Sequence, residues 1–439
     1  MSQAAVVAPA QLSEEQEALE RAYHKAAWRI VPYLMLLQIL SWLDRVNVGF
    51  AKLQMLSDLG FSEAVYGFGA GVFFVGYFLF EVPSNLLLTK IGARKTLARI
   101  TMLWGIVTVL MIFVNSATSF YALRLLLGAF EAGLFPGILL YSTQWFPARR
   151  RAQLVGFYVG GSAVAGIFGG PLAGAIMSAT GGMGGLTNWQ WLFVLEGIPS
   201  VIVGFITLFY LVDSPSQAKW LSDREKRLID EDLELDRRNA GPRQKNFVAA
   251  LALPRVWILA VIYFCLVSAN ATIAFWAPSI IKGLGVSNNF YIGLIAGIPY
   301  IVGAICMVLN GRHSDRTLER RYHCAVAMLV AAIGLFLVAS LSDHPVLALL
   351  ALVVAAAGVL SAFPPFWEFP MLVLTGVAAA GGVALINSIG NLSGFVAPYL
   401  IGFLKDATGS LSSGLYCVVG FELVGVLMIL LFIPKRAAT

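Results

Sequence analysis

Apolar residues along this chain come in long blocks that charge rarely interrupts. Twelve such blocks fall near 29–51, 65–89, 97–115, 119–146, 153–177, 189–213, 254–281, 289–310, 323–341, 346–365, 370–403 and 411–433. A helix rising 1.5 Å per residue needs about 20 residues to cross ~30 Å of hydrocarbon, and the blocks meet that length. The pattern predicts an all-α integral membrane protein with twelve transmembrane helices, the eleventh long enough to tilt or kink. The sizeable polar stretch is 214–253. Within it, Ser222 and Glu225 have the spacing of a capping box ahead of Leu228, Leu233 and Leu235, which predicts a short surface helix. The expected organisation is a tail (1–28), a six-helix bundle (29–213), a linker (214–253), a second six-helix bundle (254–433) and a short tail (434–439).

Composition narrows the functional class. Of 439 residues, 59% are hydrophobic and 12% charged, too few charges to coat soluble domains, which carry roughly 25%. A soluble enzyme, a disordered chain and a disulfide-stapled secreted domain are excluded on this ground. Cys265, Cys306, Cys324 and Cys417 are far apart, and His24, His313, His323 and His344 lack metal-ligand spacing, so neither a metal nor another cofactor is expected. Gly67-Phe-Gly69-Ala-Gly71 precedes no strand–helix unit and reads as a close-packing helix face, not a nucleotide loop. Glu14, Glu15, Glu17 and Glu20 before the first block argue against a cleavable signal.

The net charge of +6 takes its meaning from placement. With both termini cytoplasmic, 25 of the 30 Lys and Arg residues fall on the inner side and three, Lys52, Lys282 and Lys405, on the outer side. That asymmetry sets the expected orientation in a bacterial inner membrane and speaks for no nucleic-acid partner. Arg45 and Arg124 are left inside the spans.

The two halves repeat. Asn85-Leu-Leu-Leu-Thr89-Lys90-Ile-Gly92-Ala-Arg94-Lys95 aligns with Gly311-Arg-His-Ser-Asp315-Arg316 at an offset of 226, and Pro171 aligns with Pro398 at 227. Two unrelated landmarks agreeing within one residue argue for a duplicated six-helix unit, hence two pseudo-symmetric bundles.

These residues resemble the major facilitator superfamily, whose signature loop begins as Gly311-x-x-x-Asp315-Arg316 does. The first-half copy has Asn85 for Gly and Thr89 for Asp, although Gly92 and Arg94 are kept. Further stretches are similar to the anion:cation symporter family of tartrate, phthalate, hydroxyphenylacetate and sugar-acid transporters. They are Leu43-Asp44-Arg45-Val-Asn47, Gly76-Tyr77-Phe-Leu-Phe-Glu81-Val-Pro83, Arg124-Leu-Leu-Leu-Gly128-Ala-Phe-Glu131, Trp189-Gln-Trp191-Leu-Phe-Val-Leu-Glu196-Gly197 and Asn387-Ser-Ile-Gly390-Asn391. The resemblance implies the major facilitator fold and proton coupling through Asp44, Glu131 and Arg124. It implies substrate binding by Arg45, Arg124, Tyr77 and Asn391, with Trp367 as a cavity wall, and a conformational role for Gly311, Asp315, Arg316, Gly92 and Arg94.

The residues themselves support a charge-balanced site. A charge in mid-span costs a few kcal/mol, so Asp44, Arg45, Arg124 and Glu131 are functional candidates. Arg124 and Glu131, seven residues apart, fall on nearly one helical face. Two acids and two arginines sum to zero. Protons on the acids would free the arginines for a carboxylate, which their planar fork suits, and proton loss would restore internal ion pairs. The expected activity is therefore proton-coupled uptake of a small organic anion by a monomer in the bilayer, with the proton as coupling ion; proton-coupled efflux is the alternative. Arg124 has a rival role on backbone carbonyls, and Asn391 one as an interhelical donor. Glu81 and Glu196 are read as loop anchors, and Glu368 and Glu422 as peripheral.

Overall fold

The structure, a computed structural model, describes residues 14–239, 253–373 and 377–435. The expected tail residues 1–13 and 436–439 and the linker stretch 240–252 lie outside them. Among the described residues, twelve helical segments are long and apolar enough to cross a membrane. In chain order, spans 1 to 6 are Glu14–Leu59, Glu63–Ile91, Ala93–Phe113, Ala117–Trp145, Ala148–Ala179 and Asn188–Tyr210. Spans 7 to 12 are Pro254–Gly283, Asn289–Thr317, Arg321–Ser340, Pro345–Pro370, Gly382–Thr408 and Leu411–Phe432.

Several span ends differ from the hydropathy reading. Span 1 continues to Leu59, where Gly60 in a left-handed conformation (φ 66°) ends it. Lys52 therefore lies inside a helix, not in an outer loop, and is buried, its Nζ 3.5 Å from the centre of the Trp276 ring and paired with Glu63. Span 8 runs on to Thr317, so Gly311 to Arg316 are helical and not a loop. Hydropathy stops at the first charges, but a helix continues into water wherever propensity and packing allow.

Two spans are broken. Span 1 consists of helices Glu14–Val46 and Val48–Leu59, separated at Asn47. Span 4 consists of Ala117–Glu131 and Leu134–Trp145, separated at Ala132 and Gly133. Gly133 has φ 95°, open to glycine but strained for other residues, and a Cβ there would strike Ser84. The two breaks directly follow the Asp44–Arg45 pair and Glu131.

The duplication is visible in the packing. Span 2 lies along span 11 and span 5 along span 8; exchanging the halves converts one pair into the other. Glycines permit the close approach: Gly67 and Gly71 meet Pro398 and Phe395, and Gly170 and Gly174 meet Gly293 and Asn289. The end of the bundle away from the termini is clasped by polar contacts between halves. Tyr66 Oη donates to Phe275 O (2.7 Å), Lys282 Nζ to Leu53 O (2.8 Å) and the Ala64 amide to Asp406 Oδ2 (2.7 Å), while Lys405 pairs with Glu63. All three lysines that the charge count places on the outer side take part.

The linker helix Asp223–Asn239 opens with the expected capping box, the Ser222 amide donating to Glu225 and the Glu225 amide to Ser222 Oγ. One face of it grips the first half. Asp232 accepts from Tyr23 Oη (2.7 Å) and Arg149 (2.7 Å), and Asp236 pairs with Arg151 (3.1 Å). The arginines in the first turn of span 5 thus have structural partners besides any role in topology.

Candidate functional site

Asp44 and Arg45 are sequence neighbours, and the ~100° step of a helix sends their side chains in different directions. Asp44 turns into the packing between spans 1, 3 and 6. Its Oδ2 accepts from Trp104 Nε1 at 2.9 Å and from Ser200 Oγ at 2.6 Å, and among the described residues no arginine is hydrogen-bonded to it. Gly105 and Gly197 bring spans 3 and 6 close enough to close this pocket.

Arg45 turns the other way, towards span 4, and ion-pairs with Glu131, whose Oε1 also accepts from Ser41 Oγ at 2.7 Å. The Arg45 side chain is 19% exposed and Glu131 is fully buried. Aromatic faces surround the guanidinium: Phe73 at 5.0 Å, Trp42 and Tyr77 at 5.6 Å and Phe74 at 5.9 Å. A cation over ring faces is held without being neutralised, so it can still take an anion.

Arg124 is wholly buried and is not paired with Glu131. Its Nε donates to Gly69 O (3.3 Å), and its Nη2 reaches Ala70 O (3.3 Å) and Arg45 O (3.4 Å). The carbonyl-bonding role left open by the sequence is the one seen. It fastens span 4 to span 2 and to the end of the first helix of span 1. Of the internal ion pairs expected within this group of four, the described residues show Arg45–Glu131. Arg45 Nε and Arg124 Nη1 are buried donors with no hydrogen-bond partner among the described residues.

The remaining candidates are distributed over both halves. Tyr77 is half-buried beside Arg45. Trp367 is half-buried on span 10, edge-on to Tyr263 of span 7 at 4.9 Å. Asn391 is half-buried on span 11, between Gly390, packed on Tyr263, and Gly394, packed on Phe74. Phe74, which also faces Arg45, links the halves. The signature residues are separate from this centre. Gly311 packs on Pro364 of span 10, Asp315 pairs with Arg320 at 2.7 Å, and Arg316 is exposed. In the first half, Gly92 (φ 85°) ends span 2 and the Arg94 side chain meets Asp213 at 3.3 Å. Asp213, beyond span 6, thus supplies a carboxylate in the copy where Thr89 replaces Asp.

A match to the family model of the Major Facilitator Superfamily runs over residues 34–398. The chain belongs to the major facilitator superfamily. Among relatives in this superfamily, a protein of Agrobacterium vitis named for tartrate transport is 47% identical over 422 residues, covering 95% of this chain and 93% of its own. A quinolone resistance transporter of Acinetobacter baumannii is 42% identical over 405 residues, covering 91% and 92%. The xylose transporter XylE from E. coli, in a partially occluded inward open conformation, superposes with TM-score 0.73 at 16% identity, covering 94% of this chain and 99% of that one. The protein is a transporter and not an enzyme.

Two acids depart from their sequence readings. Glu196 anchors no loop; it is buried (4% exposed) one turn before Ser200, on the face of span 6 that meets Asp44. Glu422 is not peripheral; it is fully buried in span 12 and neither carboxyl oxygen has a hydrogen-bond partner among the described residues. The repeat offset of 226 carries Glu196 onto Glu422, a signal present in the sequence and overlooked.

Proposed function

We propose that this transporter takes up a small organic anion, a hydroxy or aromatic carboxylate, together with protons, by alternating access as a monomer. The proposed setting is a bacterial inner membrane with both termini cytoplasmic. The observation that carries the reading is Arg45, partly exposed within an aromatic box, held by one acid and keeping an unused donor. A protonated Glu131 releases Arg45, whose fork then accepts a carboxylate in bidentate fashion. Loss of that proton re-forms the Arg45–Glu131 pair and displaces the anion. Tyr77 and Trp42 supply ring faces for an aromatic or hydroxylated body, and Asn391 and Trp367 contribute from the other half. Arg124 acts by holding spans 1, 2 and 4 in register around the site, its free Nη1 adding positive potential. With the far end clasped shut, this conformation takes and releases substrate from the termini side.

The relative named for tartrate transport supports a carboxylate. The relative named for quinolone resistance favours a second reading, efflux on the same fold. Proteoliposomes of defined orientation separate the two. With tartrate and phthalate as probes, an inward proton gradient drives accumulation of at least one probe, and Glu131→Gln abolishes it while exchange persists. Unchanged accumulation by Glu131→Gln would overturn the coupling assignment, and accumulation only of neutral sugars or amines would overturn the anion.

A further inference from the structure

On the side of span 1 turned away from the Arg45–Glu131 pair lies a second acidic centre that the pair does not use. Asp44 accepts from Trp104 and Ser200 through Oδ2; its Oδ1 is buried without a hydrogen-bond partner among the described residues. Glu196 lies one turn from Ser200 on the same face, and its buried Oε2 likewise has no hydrogen-bond partner among the described residues. No Lys or Arg pairs with either carboxyl among the described residues. The groups that face the pair are Trp104 and Thr108 of span 3, Ser200 of span 6, Asn47 at the break in span 1, and the charges of Arg124 and Glu131 on span 4. Two carboxylates in so dry a site, given only neutral donors, cannot both be charged.

We propose that Asp44 and Glu196 form one proton-storing carboxyl pair, separate from the Arg45–Glu131 site and coupled to it through the break in span 1. One proton sits on the pair, on one carboxyl or the other. A second proton taken from the outer aqueous phase converts the remaining carboxylate to an acid and leaves to the inner phase when the pair returns to one proton. Asn47 makes the coupling physical. It ends the helix that carries Asp44 and Arg45, so a change of charge behind span 1 acts on the hinge that aims Arg45.

The transport part of this inference rests on the proton-coupled reading above; the storage part does not, and the test keeps them apart. Infrared spectra of purified protein, in a Glu422→Gln background that removes the buried acid whose two oxygens both lack a partner among the described residues, report protonated carboxyls directly. Glu196→Gln is expected to remove one protonated-carboxyl band present at neutral pH, and Asp44→Asn to shift the pH at which the remaining carboxyl titrates. In tartrate-loaded proteoliposomes, Glu196→Gln is expected to lower the protons moved per tartrate while exchange continues, and Glu196→Asp to restore them. Spectra identical with and without Glu196, or titration of Glu196 indifferent to Asp44→Asn, would overturn the pair. If the glutamine variant does not fold, the shorter Glu196→Asp must move the same band, and an unmoved band overturns the proposal. Wild-type transport without proton movement, with the band intact, would remove the coupling reading and leave the storage pair standing.

Discussion

Glu131 and Arg45 are joined across two helix breaks: the carboxylate ends the first half of span 4, and the guanidinium leaves span 1 two residues before its own break. Each partner of the pair therefore sits where its backbone can bend. In the proposed cycle, protonation of Glu131 opens the pair and frees the Arg45 charge where both helices are interrupted.

Replacing Arg45 by Lys tests the fork. Lys keeps the charge but presents a compact ammonium in place of two parallel donors. Carboxylate affinity should fall by one to two orders of magnitude, corresponding to about 1.5–3 kcal/mol for a charge-assisted bond, as measured by calorimetry with tartrate or phthalate. Undiminished binding would show that the anion is held elsewhere.

Arg124 should behave as a structural residue first. Arg124→Lys cannot reach Gly69 O, Ala70 O and Arg45 O together, and each lost bond to a charged donor is worth on the order of 1.5–3 kcal/mol. The melting temperature in detergent should drop more for Arg124→Lys than for Arg45→Lys. The reverse order would contradict the carbonyl-bonding role.

Gly133 makes a sharp case because two penalties coincide. At φ 95°, Gly133→Ala incurs about 1–2 kcal/mol of backbone strain, and the new Cβ meets Ser84. A paired Ser84→Gly substitution should recover the steric part and leave the strain, which a double-mutant cycle of melting temperatures would read.

The far-end clasp should set the balance between the two faces of the transporter. Lys52, Glu63 and Lys405 join spans 1, 2 and 11, so Glu63→Gln removes the shared acceptor and leaves Lys52 buried without its counter-charge. Spin-label distances between spans 2 and 11 at that end should lengthen on average in Glu63→Gln. An unchanged distribution would mean that the glycine packing alone holds the closure.

Acid should weaken the start of span 9. Burial opposes the charge of Glu319, but the Tyr322 amide (2.7 Å), the His323 amide and the His323 imidazole outweigh it and hold the carboxyl below the usual glutamate range. A lowered folded value means stabilisation that is complete above the unfolded pKa of about 4.3 and is lost as pH falls through the folded value. Glu319→Gln should therefore melt lower than wild type at neutral pH, and the gap should narrow below about pH 4. A gap independent of pH would show that the carboxylate charge plays no part.

The twelve spans, the capping box at Ser222 and Glu225, and the duplication were all legible in the sequence, because hydrocarbon thickness, helix capping and internal repetition act on local or regularly spaced residues. The candidate list at Asp44, Arg45, Arg124 and Glu131 was legible for a similar reason: charge is rare in a span because it is expensive there. Partnership was not. That Arg45 takes Glu131, that Arg124 takes three carbonyls and that Asp44 takes Trp104 and Ser200 depends on how five helices are rotated about their axes, and hydropathy is blind to rotation. Glu196 shows the limit well. The sequence read it as a loop anchor, and only the approach of spans 3 and 6 through Gly105 and Gly197 put it on the face that meets Asp44. Sequence thus determined which residues enter the membrane and at what depth, since burial of apolar surface and exclusion of charge are one-dimensional tests. Tertiary structure decided which of them meet, since a hydrogen bond needs two groups within about 3 Å and chains bring such groups together only by packing.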